Sequence, residues 1–232
     1  MAASYENWKN EISKYSEMDN LKYINSLTRN AYDRAAQKYH DLFHNEMYEK
    51  KYDQNLLDSF AARFTKGSLI CDAGCGPSAH IGRYLFDLGF NVVGLDISEK
   101  CIELAKLHNP EMKFECADIN NMPFNDNTLD GIISYYSIIN TPKIYINKLF
   151  GEFKRVLKRN GYLLVSVKTG TTEGFIEGLL EIHSKHYFTL FTIEEIENYF
   201  NDSGFIIEFI DQRNPYDFEI SNERIFAIGK KV

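Results

Sequence analysis

The sequence predicts an α/β fold: a doubly wound, mostly parallel sheet of seven strands that ends in an antiparallel hairpin and carries a helical cap on its N-terminal side. Three observations lead there. From Leu69 onward, short β-branched runs alternate with stretches of helical apolar spacing, the mark of consecutive βαβ units. The first run empties into a glycine turn, Asp72-Ala73-Gly74-Cys75-Gly76. The last two runs have no helix between them, which suits an antiparallel pair.

Taken in order, residues 1–14 alternate polar and charged types, and no apolar run in the chain approaches a membrane-spanning length. Up to Lys66 the pattern is helical, with Leu21, Ile24 and Leu27, then Tyr32, Ala35, Ala36 and Tyr39, on one face. Residues 1–66 are expected to form a helical cap or lid, and residues 67–232 the ligand-binding body, the two making one compact unit. Strands are expected at 69–73, 91–96, 113–118, 131–137, 161–167, 205–213 and 224–230. Ile146, Leu149, Phe150, Phe153 and Val156 recur at helical steps and should face the sheet. Thr192-Ile193-Glu194-Glu195 has the form of a capping box, and Gly204 stops the helix it opens. Thr169-Gly170-Thr171-Thr172-Glu173-Gly174 reads as a mobile loop, with His183 and His186 on a helix or loop beyond it. Arg213, Glu219 and Arg224 suggest a structural Arg–Glu brace across the last two strands, which surface exposure would make worth little.

At 232 residues, 44% hydrophobic and 25% charged, the chain has the makings of one well-buried core. Its 26 basic against 33 acidic residues give a net charge of −7, which argues against a nucleic-acid partner. Cys71, Cys75, Cys101 and Cys116 show neither Cys-x-x-Cys pairing nor His at zinc-finger spacing. They read as buried free thiols in a reducing, cytoplasmic setting, with no metal site.

The chemistry is written at the strand tips. In an open parallel sheet, ligands bind at the carboxyl ends of the strands, beside the first strand-to-helix turn. Gly74 and Gly76 let the backbone approach a ligand, and Pro77 suits the start of the next helix. A pyrophosphate-binding turn wants a third glycine, and here that place is Ala79; it also tolerates poorly an acid such as Asp72 just before the turn. An acid there suits a positively charged ligand group, which disfavours an NAD-linked oxidoreductase. Asp96 ends the second strand where a carboxylate reaches ribose hydroxyls, and Asp118 with Ile119 follows the third, where an adenine would lie.

In this order and spacing the segments 70–76, 93–98, 117–119 with 122–124, 129–133, 155–158 with 160–161, and 203–205 resemble the class I S-adenosylmethionine-dependent methyltransferases of the small-molecule (type 11, UbiE-like) kind. The resemblance covers roughly Leu69 to the end and implies a Rossmann-like seven-stranded sheet with one antiparallel strand. It implies S-adenosylmethionine as cofactor, S-adenosylhomocysteine as product, and a small-molecule methyl acceptor. Asp72, Gly74, Cys75 and Gly76 would line the methionine part, Asp96 and Ile97 the ribose, and Asp118 and Ile119 the adenine, with the Ser134 backbone near the cofactor amino group. The helix bearing Tyr32 and Tyr39 is similar to one that relatives fold over the cofactor, so Tyr32 is expected to close on the methionine end. Ser78, Asn140 and Lys168 depart from the family pattern, the last two at the border of the acceptor pocket.

Methyl transfer is an in-line displacement that needs alignment and exclusion of water, and it requires no metal. Where the acceptor still bears a proton, the candidates to take it or to orient the acceptor are His183, His186 and Tyr136, with Tyr135 and Tyr187 beside them. The competing expectation is a protein that binds S-adenosylmethionine without transferring its methyl group. These motifs encode neither the acceptor's identity nor the oligomeric state.

Overall fold

The computed structural model describes residues 17–180, 182–219 and 221–232. The polar stretch 1–14 lies outside them. The strands are β1 (Leu69–Ala73), β2 (Asn91–Asp96), β3 (Lys113–Cys116), β4 (Leu129–Tyr135), β5 (Leu157–Lys168), β6 (Glu173–Leu179), β7 (Ile182–Thr189), β8 (Phe205–Arg213) and β9 (Arg224–Lys231). The helices are α1 (Glu17–Phe43), α2 (Lys51–Ala61), α3 (His80–Asp87), α4 (Glu99–His108), α5 (Lys143–Val156) and α6 (Ile193–Asp202).

Seven strands form one sheet in the order β3-β2-β1-β4-β5-β9-β8. The first five are parallel neighbours, and β9 runs antiparallel between β5 and β8. The chain reverses its direction of travel across the sheet between β1 and β4, which opens a crevice at their carboxyl ends. Alternate strand residues sort onto two faces. Cys71, Ile132 and Leu163 join α5 and α6 in one core, while Ile70, Ile133 and Leu164 join α2, α3 and α4 in the other. Ile146, Leu149, Phe150, Phe153 and Val156 of α5 are all buried, as their spacing requires. The capping box of α6 forms in full: Glu195 N donates to Thr192 Oγ1 at 3.2 Å, and Thr192 N donates to Glu195 Oε2 at 2.9 Å.

Several local expectations need correction. Helix α3 starts at His80, so Pro77 stays in the loop, and Ala79 caps the helix at a left-handed φ of 47°. Asp118 lies beyond the end of β3 rather than in it. Cys71, Cys75 and Cys101 are buried, but Cys116 is exposed. The 169–174 stretch is not simply a loop: β6 begins at Glu173 and pairs antiparallel with β7, so His183 and His186 sit on a strand. The hairpin is held by tertiary packing, because α1 runs along β7 and buries Tyr187 against Ile24 and Phe175. Its own alternation is broken by Gly174 and Gly178, so the local pattern hides it.

Candidate functional site

The crevice at the carboxyl ends of β1, β2 and β4 holds a cleft of about 660 Å³, its mouth included. A second lobe of about 350 Å³ shares Gly74, Gly76, Tyr39, Tyr135 and Tyr136 with it and continues to Asp72, Cys75, Glu46 and His80. The turn after β1 is pinned from below, with Gly74 N and Cys75 N both donating to Leu95 O at 2.8 Å. Gly74 has φ +88°, and a Cβ there would meet Ser137 Cβ at 2.3 Å. Gly76 has φ +64°, yet a Cβ would touch nothing within 4 Å, because it would project into the cleft.

The acids are held by backbone donors. Asp96 accepts from Gly76 N and Ser98 N, each at 2.9 Å, and Asp72 accepts from Gly82 N at 2.9 Å. The last contact requires Gly82, since a Cβ there would lie 2.9 Å from Asp72 Oδ2. Burial pushes both carboxyls up to about 6; His80 and the Gly82 N–H partly offset it for Asp72, and the Ser98 and Gly76 N–H groups for Asp96. Two buried acids with raised pKa at neighbouring strand tips favour a cationic ligand, which restores their charged form. Asp118, Ile119 and Ile97 line the same cleft. Asp118 accepts from Asn25 Nδ2 at 2.6 Å and from Asn120 N and Nδ2 at 2.8 and 2.9 Å.

Helix α1 roofs this lobe. Asn25, Thr28, Tyr32 and Tyr39 line the cleft from one helical face. Arg29 Nε donates to Ile97 O at 3.1 Å, and Asp33 accepts from Ser98 Oγ at 2.6 Å, so the helix is tied to the tip of β2. Tyr32 accepts from Asn140 Nδ2 at 3.2 Å, and its burial pushes its pKa up to about 12. Thr28 Oγ1, Asn120 Oδ1, Tyr136 OH and Asn140 Oδ1 are buried in the lining without a hydrogen-bond partner among the described residues. Polar atoms so placed are costly unless a ligand or water satisfies them, and their distribution over both halves of the cleft fits a nucleoside with a polar tail.

Tyr32, Asp72, Gly74, Cys75, Gly76, Asp96, Ile97, Asp118, Ile119 and Tyr136 are thus brought together around the two lobes. Ser134 is not among the lining residues: it is buried within β4, and its hydroxyl meets that of Ser137, which does line the cleft, at 2.5 Å. His183 is exposed on β7 and lines neither lobe. His186, on the other face of that strand, is buried, with its ring edge-on to Tyr32 at 6.4 Å, and burial lowers its pKa. Tyr136 stands at φ +54°, a strained position for a large side chain, and burial raises its hydroxyl pKa. Asn25, Thr28 and Asn120 were not singled out from sequence. The first two repeat with Tyr32 and Tyr39 along one stripe of α1, the polar interruption that marks a ligand-facing helix.

Behind Tyr135 lies a buried ion network in place of the expected surface brace. Arg213 binds Glu219 at 2.7 Å and Asp53 at 2.9 Å, and Lys50 and Arg224 also reach Glu219, at 2.9 and 3.2 Å. The Tyr135 hydroxyl donates to Asp53. The three charged partners of this pair, Asp53, Lys50 and Arg224, are buried because α2, the β8–β9 connection and the sheet close over them, a long-range arrangement that sequence spacing does not disclose. Among the described residues no group of three or more His, Cys, Asp or Glu side chains is placed to hold a metal ion. None of their helices is long and apolar enough to cross a membrane.

Strand order, turn and acidic tips define an α/β protein built to bind a nucleoside-bearing, positively charged cofactor. The methyltransferase-domain family model matches residues 71–165, the segment from the glycine turn through β5. That segment, less than half of the chain, is similar to methyltransferase domains. The chain is 34% identical over 115 residues to 24-methylenesterol C-methyltransferase 2 of Arabidopsis thaliana, covering 47% of this chain and 31% of that one. It is 26% identical over 181 residues to the sterol 24-C-methyltransferase of Saccharomyces cerevisiae, covering 68% and 45%. The chain therefore spans less than half the length of these curated relatives. The crystal structure of magnesium protoporphyrin IX methyltransferase from Synechocystis with bound SAH superposes with a TM-score of 0.67 at 17% identity, over 90% of this chain and 99% of that one. The [4+2]-cyclase SpnF shares the fold at a TM-score of 0.61 and 16% identity, over 77% and 80%.

Proposed function

We propose that this chain transfers the methyl group of S-adenosylmethionine to a small-molecule acceptor by in-line displacement. The observation that carries the reading is the convergence of Asp72, Asp96, Asp118 and the Gly74–Gly76 turn on one cleft. Asp96 holds the ribose hydroxyls, and Asp118, Ile119 and Asn120 hold the adenine beneath Asn25 and Thr28. Asp72 and the turn face the methionine end, where Tyr32 and Tyr39 of α1 close the cleft as a lid. The cofactor supplies a methyl group on a sulfonium sulfur, already electrophilic, so the protein's work is alignment and exclusion of water. Tyr136 is the catalytic candidate that faces the cleft; its hydroxyl, which burial keeps protonated, orients the acceptor by donating a hydrogen bond to it. His186 acts through Tyr32 as a positioning residue, and His183 contributes nothing to turnover.

The acidic net charge supports a small acceptor over a nucleic acid. The test is a turnover assay with S-adenosylmethionine and small-metabolite pools, reading S-adenosylhomocysteine and mass-shifted products. Asp96→Ala is expected to lose cofactor affinity, His183→Ala to turn over as wild type, and Tyr136→Phe to lower kcat. The second reading, a cofactor-binding protein without methyl transfer, is favoured by the fold shared with a [4+2]-cyclase. Tight cofactor binding with no S-adenosylhomocysteine formed across a broad acceptor panel would establish it.

A further inference from the structure

At the carboxyl end of the sheet, β5, β9 and β8 present three basic residues in direct opposition. Lys168 is registered with Arg224, and Arg224 with Arg213. Directly paired residues project from the same face, so the three form a row, and like charges so placed repel one another. Glu219 and Asp53 answer part of this row and are shared with Lys50, while Glu46 is engaged by Lys50 at 2.8 Å and His80 at 2.9 Å. Lys168, at the head of the row, has no carboxylate within ion-pair distance among the described residues. Its ammonium stands 5.6 Å from the centroid of the Phe188 ring. It is half-buried, and desolvation together with Arg224 pushes its pKa down to about 8. A partly dehydrated cation without a counter-ion is held at a cost that a bound anion would relieve.

Lys168 itself lines neither lobe, and the row begins beside the strand end that carries the tyrosine wall of the cleft. Lys168 lies two residues beyond Ser166, which is registered with Tyr135 and whose carbonyl accepts the Tyr136 N–H at 3.0 Å. It therefore extends from the two tyrosines away from the acidic strand tips that serve the cofactor. Resting on the methyl-transfer reading above, we propose that the methyl acceptor carries an anionic group, carboxylate or phosphate, which pairs with Lys168 at the head of this cationic row. Lys168 is thereby a specificity-determining residue. A neutral acceptor leaves its charge unanswered.

The experiment uses the full chain saturated with S-adenosylhomocysteine, titrated by calorimetry with inorganic phosphate, with benzoate, and with benzamide as the neutral isostere of benzoate. We expect at least one anion to bind in the millimolar range and benzamide to bind about tenfold more weakly or not at all. Lys168→Met, which keeps an aliphatic stem beside Phe188, should weaken the anion about tenfold with S-adenosylhomocysteine affinity unchanged; Lys168→Arg should restore most of it. Preference for phosphate over benzoate identifies a phosphorylated acceptor, and the reverse a carboxylic one. The proposal is overturned if benzamide binds the wild type as well as the anions do, if neither anion binds the loaded protein, or if Lys168→Met binds anion like wild type. The benzamide comparison needs no variant, so it decides even where a substitution unfolds the chain. Loss of S-adenosylhomocysteine binding by the wild type would instead sink the methyl-transfer reading itself.

Discussion

Replacing Asp72 by Asn should make the ligand-free protein more stable while weakening its hold on the cofactor. Asp72 is buried at the tip of β1, accepts one N–H, from Gly82, and has its pKa pushed from 3.8 to about 6. Keeping it ionised at pH 7.5 thus costs the folded state roughly 3 kcal/mol relative to the unfolded chain, at about 1.4 kcal/mol per pKa unit. A carboxamide stands in for the neutral acid and still accepts from Gly82, so we expect a gain of about 1 to 3 kcal/mol at pH 7.5. The pH dependence has a definite sign. Because the folded pKa is raised, the wild type recovers this stability as pH falls through about 6, whereas the variant cannot titrate there. The gap should narrow by about 2 kcal/mol by pH 4.5. Urea denaturation of both proteins at the two pH values measures it, and calorimetry with S-adenosylmethionine should show affinity lower by about tenfold or more. A variant less stable than wild type at pH 7.5, a gap that widens on acidification, or an unchanged affinity would each refute the reasoning.

Gly74→Ala and Gly76→Ala should separate fold from binding. The first drives a Cβ into Ser137 and lowers Tm, whereas the second costs about 1 kcal/mol of backbone strain and abolishes cofactor binding by filling the cradle, as paired melting and calorimetry would show. Arg213→Met should leave the buried Asp53 without a cationic partner, while Glu219 keeps Lys50 and Arg224, and cost about 3 kcal/mol, a fall in Tm of about 10 °C. His40 stacks on His108 at 3.8 Å and on His44 at 5.0 Å; burial, then His108 and His44, lower its pKa, against the opposing pull of Asp41. Stability should therefore fall as pH drops below 6.5, where the unfolded chain takes the proton first, and His40→Gln should flatten that limb in denaturation curves at pH 7.5, 6.5 and 5.5.

What the sequence disclosed and what it hid divide by the range of the interactions. The edges of β1, β2 and β8, the inward face of α5 and both ends of α6 are decided by residues within a turn or two of each other, and each was legible. Asp72, Asp96 and Asp118 were legible for the same reason: a parallel sheet fixes where a strand tip lies once the strand is recognised. The β6–β7 hairpin was not, because its order depends on α1, which lies more than a hundred residues away in the chain. The same holds for the burial of Arg213 and Glu219 under α2. His186 shows how the two kinds of error combine. Once its segment is a strand rather than a helix, it and His183 must point to opposite faces, so only one of the two candidates can face the cleft.

The two ends of the site carry opposite charge, and that division bears on how two substrates are ordered within one cleft. Asp72, Asp96 and Asp118 make one side of the cleft acidic, while the row headed by Lys168 lies beyond Tyr135 and Tyr136, with Arg213 and Arg224 already answered by Asp53 and Glu219. Both charge sets are at least partly buried, where salt screens weakly, so each repels at short range the ligand that belongs to the other. On the proposed reading, an anionic acceptor would be pushed from the carboxylates and drawn to Lys168, which would leave its uncharged middle opposite the tyrosines. The same fields would confine the sulfonium of the cofactor to the other side. Orientation would then come from electrostatics fixed in the folded chain before either ligand arrives, and Tyr136, strained at φ +54° with an unpaired hydroxyl, stands where the two regions meet.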